Sequence, residues 1–250
     1  MLYALLGCSV TAAAAQAVDA VQADSSPQHI TGLVQLPEDD QGLIRLPVRF
    51  IIVSEVELMK REVSMSSWVT PEQVEETVLP EVNRIWKEAG IEFLLESVTV
   101  KPATEIDHRT QAIQAVENAS RDDDEQANRA RVRSIDALCG KDDGHPVVYN
   151  VYLFPYLGQT YQGYARQGGN HAVLGVWTDK PSGGKEPPQR VLLSEELPFR
   201  IGSLCRTCAH ELGHNLTLNH PPKDPDSRYQ QLMGGARHGY DLTPDEIAQA

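Results

Sequence analysis

The residues of this chain best equipped for chemistry lie in one stretch, His210-Glu211-Leu212-Gly213-His214-Asn215-Leu216-Thr217-Leu218-Asn219-His220. His210 and His214 stand four apart, so on a helix they share a face and can aim two imidazole nitrogens at one small ion. Glu211 is turned about 100° from His210 around the helix axis, outside the ligand set but near a water held by that ion. His220 comes six residues after His214, too far to stay on the same face. It joins the ion only if the chain reverses sharply behind the second helical turn. Three neutral imidazoles and one open position make a catalytic zinc site, in which the pKa of bound water falls to roughly 7. A closed structural site would need a fourth side-chain ligand and would leave Glu211 unexplained. At this histidine content the spacing should arise by chance on the order of once in a thousand such chains, so the pattern is specific.

The helix that must carry these residues has a matching apolar side. Projected at about 100° per residue, Ile201, Leu204, Cys205, Cys208 and Leu212 fall opposite His210 and His214. That side is expected to pack into the core while the histidines line a cleft, which makes Cys205 and Cys208 poor ligands for the same ion. The remaining cysteines are Cys8 and Cys139. With Cys8 removed or acylated, one disulfide plus one thiol is the simplest count. A bridge from Cys139 to Cys205 or Cys208 and a bridge between Cys205 and Cys208 both stay open.

The 250 residues are 41% hydrophobic, enough for one or two domains with a core. The 35 acidic residues outnumber the 22 basic ones, for a net charge of −13. That balance argues against nucleic acid and anionic membranes as partners. No stretch has the length of a transmembrane span. Residues 1–17 are apolar and small, and Ala15-Gln16-Ala17 fits a signal-peptide cleavage site. Leu5-Leu6-Gly7-Cys8 also resembles a lipoprotein box, in which Cys8 would carry a lipid anchor. Export to a secreted, periplasmic or cell-surface location is expected either way. Residues 18–46 read as a linker or short pro-segment, and residues 47–250 as the catalytic domain.

Strands are expected at Val48–Leu58, Ile91–Val100, Val147–Phe154, His171–Thr178 and Val191–Glu195. An amphipathic helix is expected from Pro71 to Gly90, with Pro80 bending or splitting it. Thr110–Leu138 reads as one or two exposed helices. Its acidic run Asp122–Glu125 suits a solvated face, and calcium there has no support beyond charge. Lys141–Gly144 reads as a turn and Tyr161–Asn170 as a glycine-broken loop. Thr243-Pro244-Asp245-Glu246 is a helix start with a capping box. The sum is an α/β (α+β) pattern: a mixed twisted sheet, an active-site helix, and a small C-terminal subdomain after the third histidine.

The run from His210 to His220 resembles the metzincin zinc peptidases, H-E-x-x-H-x-x-G-x-x-H followed by a methionine turn, and His-Glu-Leu-Gly-His-Asn-Leu looks most like the reprolysin (adamalysin) branch. The resemblance implies that His210, His214 and His220 bind one Zn2+ through Nε2. Glu211 would be the general base, and Met233 would form an apolar floor below the metal. It implies a metalloendopeptidase acting on protein or peptide substrates, with an edge strand within His171–Trp177 that pairs with extended substrate. Tyr240 or His238 would lean into the cleft as an oxyanion or substrate contact. Two positions depart from the pattern: Thr217 stands where the family has glycine, and Pro221 where the reprolysins have aspartate. The alternative expectation is a catalytically impaired zinc-binding surface protein with the same fold.

Overall fold

Four runs rich in β-branched and aromatic residues build the sheet on which everything else rests. The computed structural model describes residues 43–105, 130, 133–134, 148–158, 162–179, 186–194, 202–221, 230–234 and 239–250, all within the unit Gln35–Ala250. Strands β1 (Ile44–Ser54), β4 (Ile91–Pro102), β5 (Tyr149–Tyr156) and β7 (His171–Thr178) run parallel in the order β4-β1-β5-β7. The short strands β6 (Gly163–Ala165) and β8 (Gln189–Arg190) both pair antiparallel with β7. A separate hairpin joins β2 (Leu58–Lys60) to β3 (Val63–Met65). The fold is therefore mixed α/β with a mostly parallel sheet.

Side-chain alternation divides the core between the two faces of the sheet. Val48, Phe50, Ile52, Val151, Leu153, Ala172, Leu174 and Val176 face one cluster, which also takes in the helices and the segment around Met233. Ile51, Val53, Tyr152, Phe154, Tyr156 and Val173 face the other, under the β2–β3 hairpin. Leu218, Leu232, Met233 and Leu242 belong to the first cluster, so the chain after the third histidine shares its core with the sheet.

The helix expected from Pro71 to Gly90 forms as residues 71–89. Thr70 and Gln73 make a capping box at its start, and Gly90 ends it at φ 67°. Pro80 does not split it. The turn before it, Val74–Val78, is a π-helix, with the Leu79 N–H bonded to the Val74 carbonyl. The wider turn absorbs a residue that has no N–H to give and whose ring crowds the preceding carbonyls. Asn83 then ties the helix to β4, donating to the Phe93 carbonyl (3.0 Å) and accepting from its N–H (2.8 Å).

Several sequence boundaries are corrected. The first strand begins at Ile44 and ends at Ser54; the chain turns at Glu55, at φ 56°, and of the rest of the expected run only Leu58 enters β2. The expected strand from Val191 is absent, and the pairing lies at Gln189–Arg190 instead. The reason is a competing use of the carbonyls. Those of Leu192 and Leu193 accept from the Leu204 and Cys205 N–H groups (2.7 and 3.0 Å), so the chain leaves the sheet to cap the next helix. β7 is not an edge, because β5 and β6 flank it; the edge near the site is β6, inside the stretch read as a loop. Cys8, Cys139, the acidic run, the Lys141 turn and His238 lie outside the described residues. Ala130, Arg133 and Ser134 are helical, but Ser134 is buried, so the helix is not exposed on every side as expected for that region. Among the described residues no helix is long and apolar enough to cross a membrane.

On the far side of the sheet from the histidines, Lys60 Nζ donates to Tyr156 Oη (2.9 Å) and lies 3.0 Å from Asp179 Oδ2, while Tyr156 Oη donates to Asp179 Oδ1 (2.8 Å). Both charged side chains are buried. Asp179→Asn keeps the shape but strands a buried ammonium, and should destabilise the protein by about 3–5 kcal/mol in a urea melt. The double change Lys60→Met/Asp179→Leu should lie much closer to wild type. Equal losses in the two variants would show that packing, not charge, fixes this corner.

Candidate metal centre

The site helix, Leu204–Asn215, starts at Ser203, whose side chain accepts from the Arg206 N–H (3.1 Å). Leu204, Cys205, Cys208 and Leu212 are fully buried, as the projection requires. Cys205 and Cys208 are not bridged to one another, and Cys139, the other partner considered, lies outside the described residues. Cys205 Sγ donates instead to the Leu193 carbonyl (2.6 Å), and Cys208 sits in apolar surroundings that push its thiol well up.

The chain reverses immediately behind the helix. The Leu218 N–H reaches the Gly213 carbonyl (2.9 Å) and the Thr217 N–H the His214 carbonyl (3.0 Å), the bond pair of a Schellman turn. Thr217 occupies the left-handed position at φ 73°, where the lack of a glycine costs about 1–2 kcal/mol. Its carbonyl is held from two sides, by Gln167 Nε2 (2.8 Å) and Gln249 Nε2 (2.9 Å). The expected terminal helix, Pro244–Gln249, forms with its capping box and supplies the second of these. The departure from glycine thus strains the turn without redirecting it.

As a result the three rings converge. His220 Nε2 lies 3.1 Å from His210 Nε2 and 3.0 Å from His214 Nε2. His210 Nδ1 donates to the Leu232 carbonyl and His214 Nδ1 to the Leu218 carbonyl, both at 2.8 Å. These bonds place the hydrogens on Nδ1 and leave the Nε2 lone pairs aimed inward, the tautomer of a metal ligand. A single proton on His220 can bridge only one of them, whereas one divalent cation satisfies all three. Ligand nitrogens around a tetrahedral zinc lie roughly 3.3 Å apart, close to the spacing here. Burial holds all three imidazoles below their usual pKa, His210 furthest, which keeps them neutral and able to coordinate. Among the described residues this is the group whose ligand atoms meet within reach of one ion.

Glu211 is buried beside them. Its carboxylate accepts from the Ala165 N–H of β6, and a Cβ on Gly163 would meet Glu211 Oε1 at 2.5 Å. The edge strand can lie against the carboxylate because residue 163 is glycine. Burial pushes Glu211 up to about 8, opposed by the charge of Arg206 and the Ala165 bond. A divalent cation nearby would favour the carboxylate. Met233 is fully buried, and a Cβ on Gly213 would meet its Sδ at 2.6 Å, so the methionine lies directly under the helix between the two helical histidines. The Tyr240 ring packs against the core, with the Arg84 guanidinium 5.6 Å from its centre.

Residues not singled out from the sequence complete the site. Asn215 Nδ2 donates to the Arg166 and His171 carbonyls (3.2 and 3.1 Å), tying the glycine loop to the helix end. Arg206 is buried and donates to three carbonyls, those of Gly239, Leu232 and Gly234. Its signal was the spacing Arg206, His210, His214, one face at four-residue steps. Gly163 signalled only a break in a loop, since its need at the site is set by a residue distant in sequence.

No protein-family model matches this chain, and no curated protein matches it. Among solved structures, one described as a chaperone-substrate complex is similar with a TM-score of 0.42 and 13% identity, over 82% of this chain and 34% of that one. The crystal structure of metalloproteinase-II from Bacteroides fragilis is similar with a TM-score of 0.38 and 14% identity, over 85% of this chain and 54% of that one. The chain spans about a third and about half of those two proteins.

Two outcomes follow from this geometry. Thr217→Gly should raise the melting temperature by about 1–4 °C, as relief of left-handed strain outweighs the added backbone entropy. A lower melting temperature would mean that the threonine side chain stabilises the turn. In metal-free protein the histidines, with pKa values lowered from 6.5, contribute stability that is lost as pH falls below that value. Glu211 acts in the opposite direction: the folded state holds its proton up to about pH 8, so stability falls as pH rises toward that value. Between about pH 6.5 and 8 the Glu211 term stands alone among these site groups. Glu211→Gln should flatten the slope of unfolding free energy in that window; an unchanged slope would assign it elsewhere.

Proposed function

We propose that this protein is a zinc-dependent endopeptidase of metzincin type, with His210, His214 and His220 as metal ligands and Glu211 as general base. The observation that carries the reading is the meeting of three imidazole Nε2 atoms beside a buried glutamate at the edge of a sheet. When bound, the ion would supply Lewis acidity toward a carbonyl and toward water. The protein's own residues do the rest. Glu211 takes a proton from the attacking water and passes it to the leaving amine, so no acyl-enzyme forms. The Ala165 bond keeps its carboxylate oriented, and a bound cation would favour the ionised, proton-accepting form that burial alone disfavours. Strand β6, with no strand on its outer side among the described residues, offers backbone groups to an extended peptide. Met233 and Gly213 form the packed base of the site. The proposal includes export, which rests on the apolar N-terminal stretch.

The competing idea, a zinc-holding protein without turnover, drew its weight from Thr217. That residue adopts the left-handed turn, and His220 reaches the other two rings. Digestion of a proteome-derived peptide library, read by mass spectrometry, tests the proposal. Wild type should cut, and chelator should abolish cutting that Zn2+ then restores. Glu211→Ala should lose on the order of 10²–10⁴ in rate while still binding Zn2+. Metal-loaded wild type that leaves the library intact, or Glu211→Ala at full rate, would refute it.

A further inference from the structure

The most unusual group near the histidines is a buried cation. Arg206 is 2% exposed, one helical turn before His210. Its Nη2 donates to the Leu232 carbonyl (2.6 Å) and the Gly234 carbonyl (3.1 Å), and its Nε to the Gly239 carbonyl (3.0 Å). Two of these acceptors bracket Met233, and the third, Gly239, lies two residues before the bridged Asp241. Among the described residues of that loop, regular pairing is limited to the bridge Gln231↔Asp241. Leu232 O has a second partner: it also accepts from His210 Nδ1 (2.8 Å). One carbonyl therefore joins the guanidinium to the imidazole, and the guanidinium fixes where that carbonyl points.

We infer that Arg206 is a positioning residue for the metal centre, clamping the methionine turn to the site helix and thereby setting the orientation of His210. This rests on the zinc-site reading above. Only a planar fork reaches three carbonyls at once, so lysine is no substitute. The loop accepts the fork because residue 239 is glycine: a Cβ there would run into the backbone of Gln230. A purely electrostatic role predicts the opposite sign. A buried positive charge repels a divalent cation, and Arg206 already disfavours the protonated forms of His210 and His220. Deleting a merely repulsive charge would tighten metal binding, whereas deleting a clamp loosens it.

Zn2+ affinity by competition with a chromophoric chelator, together with the visible spectrum of the Co2+-loaded protein, separates these roles in wild type, Arg206→Lys and Arg206→Met. Both variants should bind Zn2+ about 10–100-fold more weakly, as loss of a partner behind a ligand does elsewhere. Their Co2+ bands should shift, while the metal-free proteins still melt cooperatively. Affinity in Arg206→Met equal to or above wild type overturns the proposal. Should Arg206→Met fail to fold, Arg206→Lys decides: weaker binding with a shifted spectrum supports the clamp, and wild-type binding refutes it. Wild type that binds no Zn2+ would remove the zinc-site reading and the clamp together, whereas tight wild-type binding with unchanged variants removes the clamp alone.

Discussion

The reversal of the chain between Leu216 and Leu218 governs the site. A helix supplies at most two imidazoles at one-turn spacing to one point, and the third must be brought back by a turn. Here the turn closes with the two bonds of a Schellman motif, and its last carbonyl, Leu218 O, accepts from His214 Nδ1. The same few residues thus stop the helix, orient one ligand and return another. A left-handed threonine in the middle would weaken such a turn were it left alone. Gln167 from the glycine loop and Gln249 from the terminal helix hold its carbonyl from opposite parts of the chain.

Burial sets the chemistry around that point. The helix lies between the sheet and the segment containing Met233, and the close approach is made by Gly213 on one side and Gly163 on the other. Removing water lowers the histidine pKa values and raises that of Glu211, so without a cation every one of these groups is biased toward neutrality. A divalent ion would take up the three inward lone pairs, keeping the imidazoles neutral, and would move the reluctant carboxyl toward its ionised form. The buried Arg206 beside them counters part of the bias on Glu211 while serving the loop carbonyls.

Much of this was legible in the sequence, for identifiable reasons. The i, i+4 histidines, the apolar side of their helix and the strand His171–Thr178 depend on local periodicity, and each appears where periodicity put it. The capping box at Thr243 is also local. What escaped depends on partners far along the chain. Leu192 and Leu193 look like a strand but spend their carbonyls on the site helix. Tyr161–Asn170 looks like a loop because of its glycines, yet one of those glycines exists to let a short edge strand lie on Glu211. Pro80 looks like a break, and a π turn accommodates it. The side chain of Arg206 shares the histidine face, but nothing local says that its acceptors lie in a loop some thirty residues on.

X-ray absorption at the zinc edge of the Zn2+-loaded wild-type protein tests the central claim most directly. It should show three imidazole nitrogens at about 2.0–2.1 Å and one further light-atom ligand, with no sulfur. Two imidazoles in place of three, or a sulfur shell from Cys205 or Cys208, would contradict the convergence of His210, His214 and His220 on one ion.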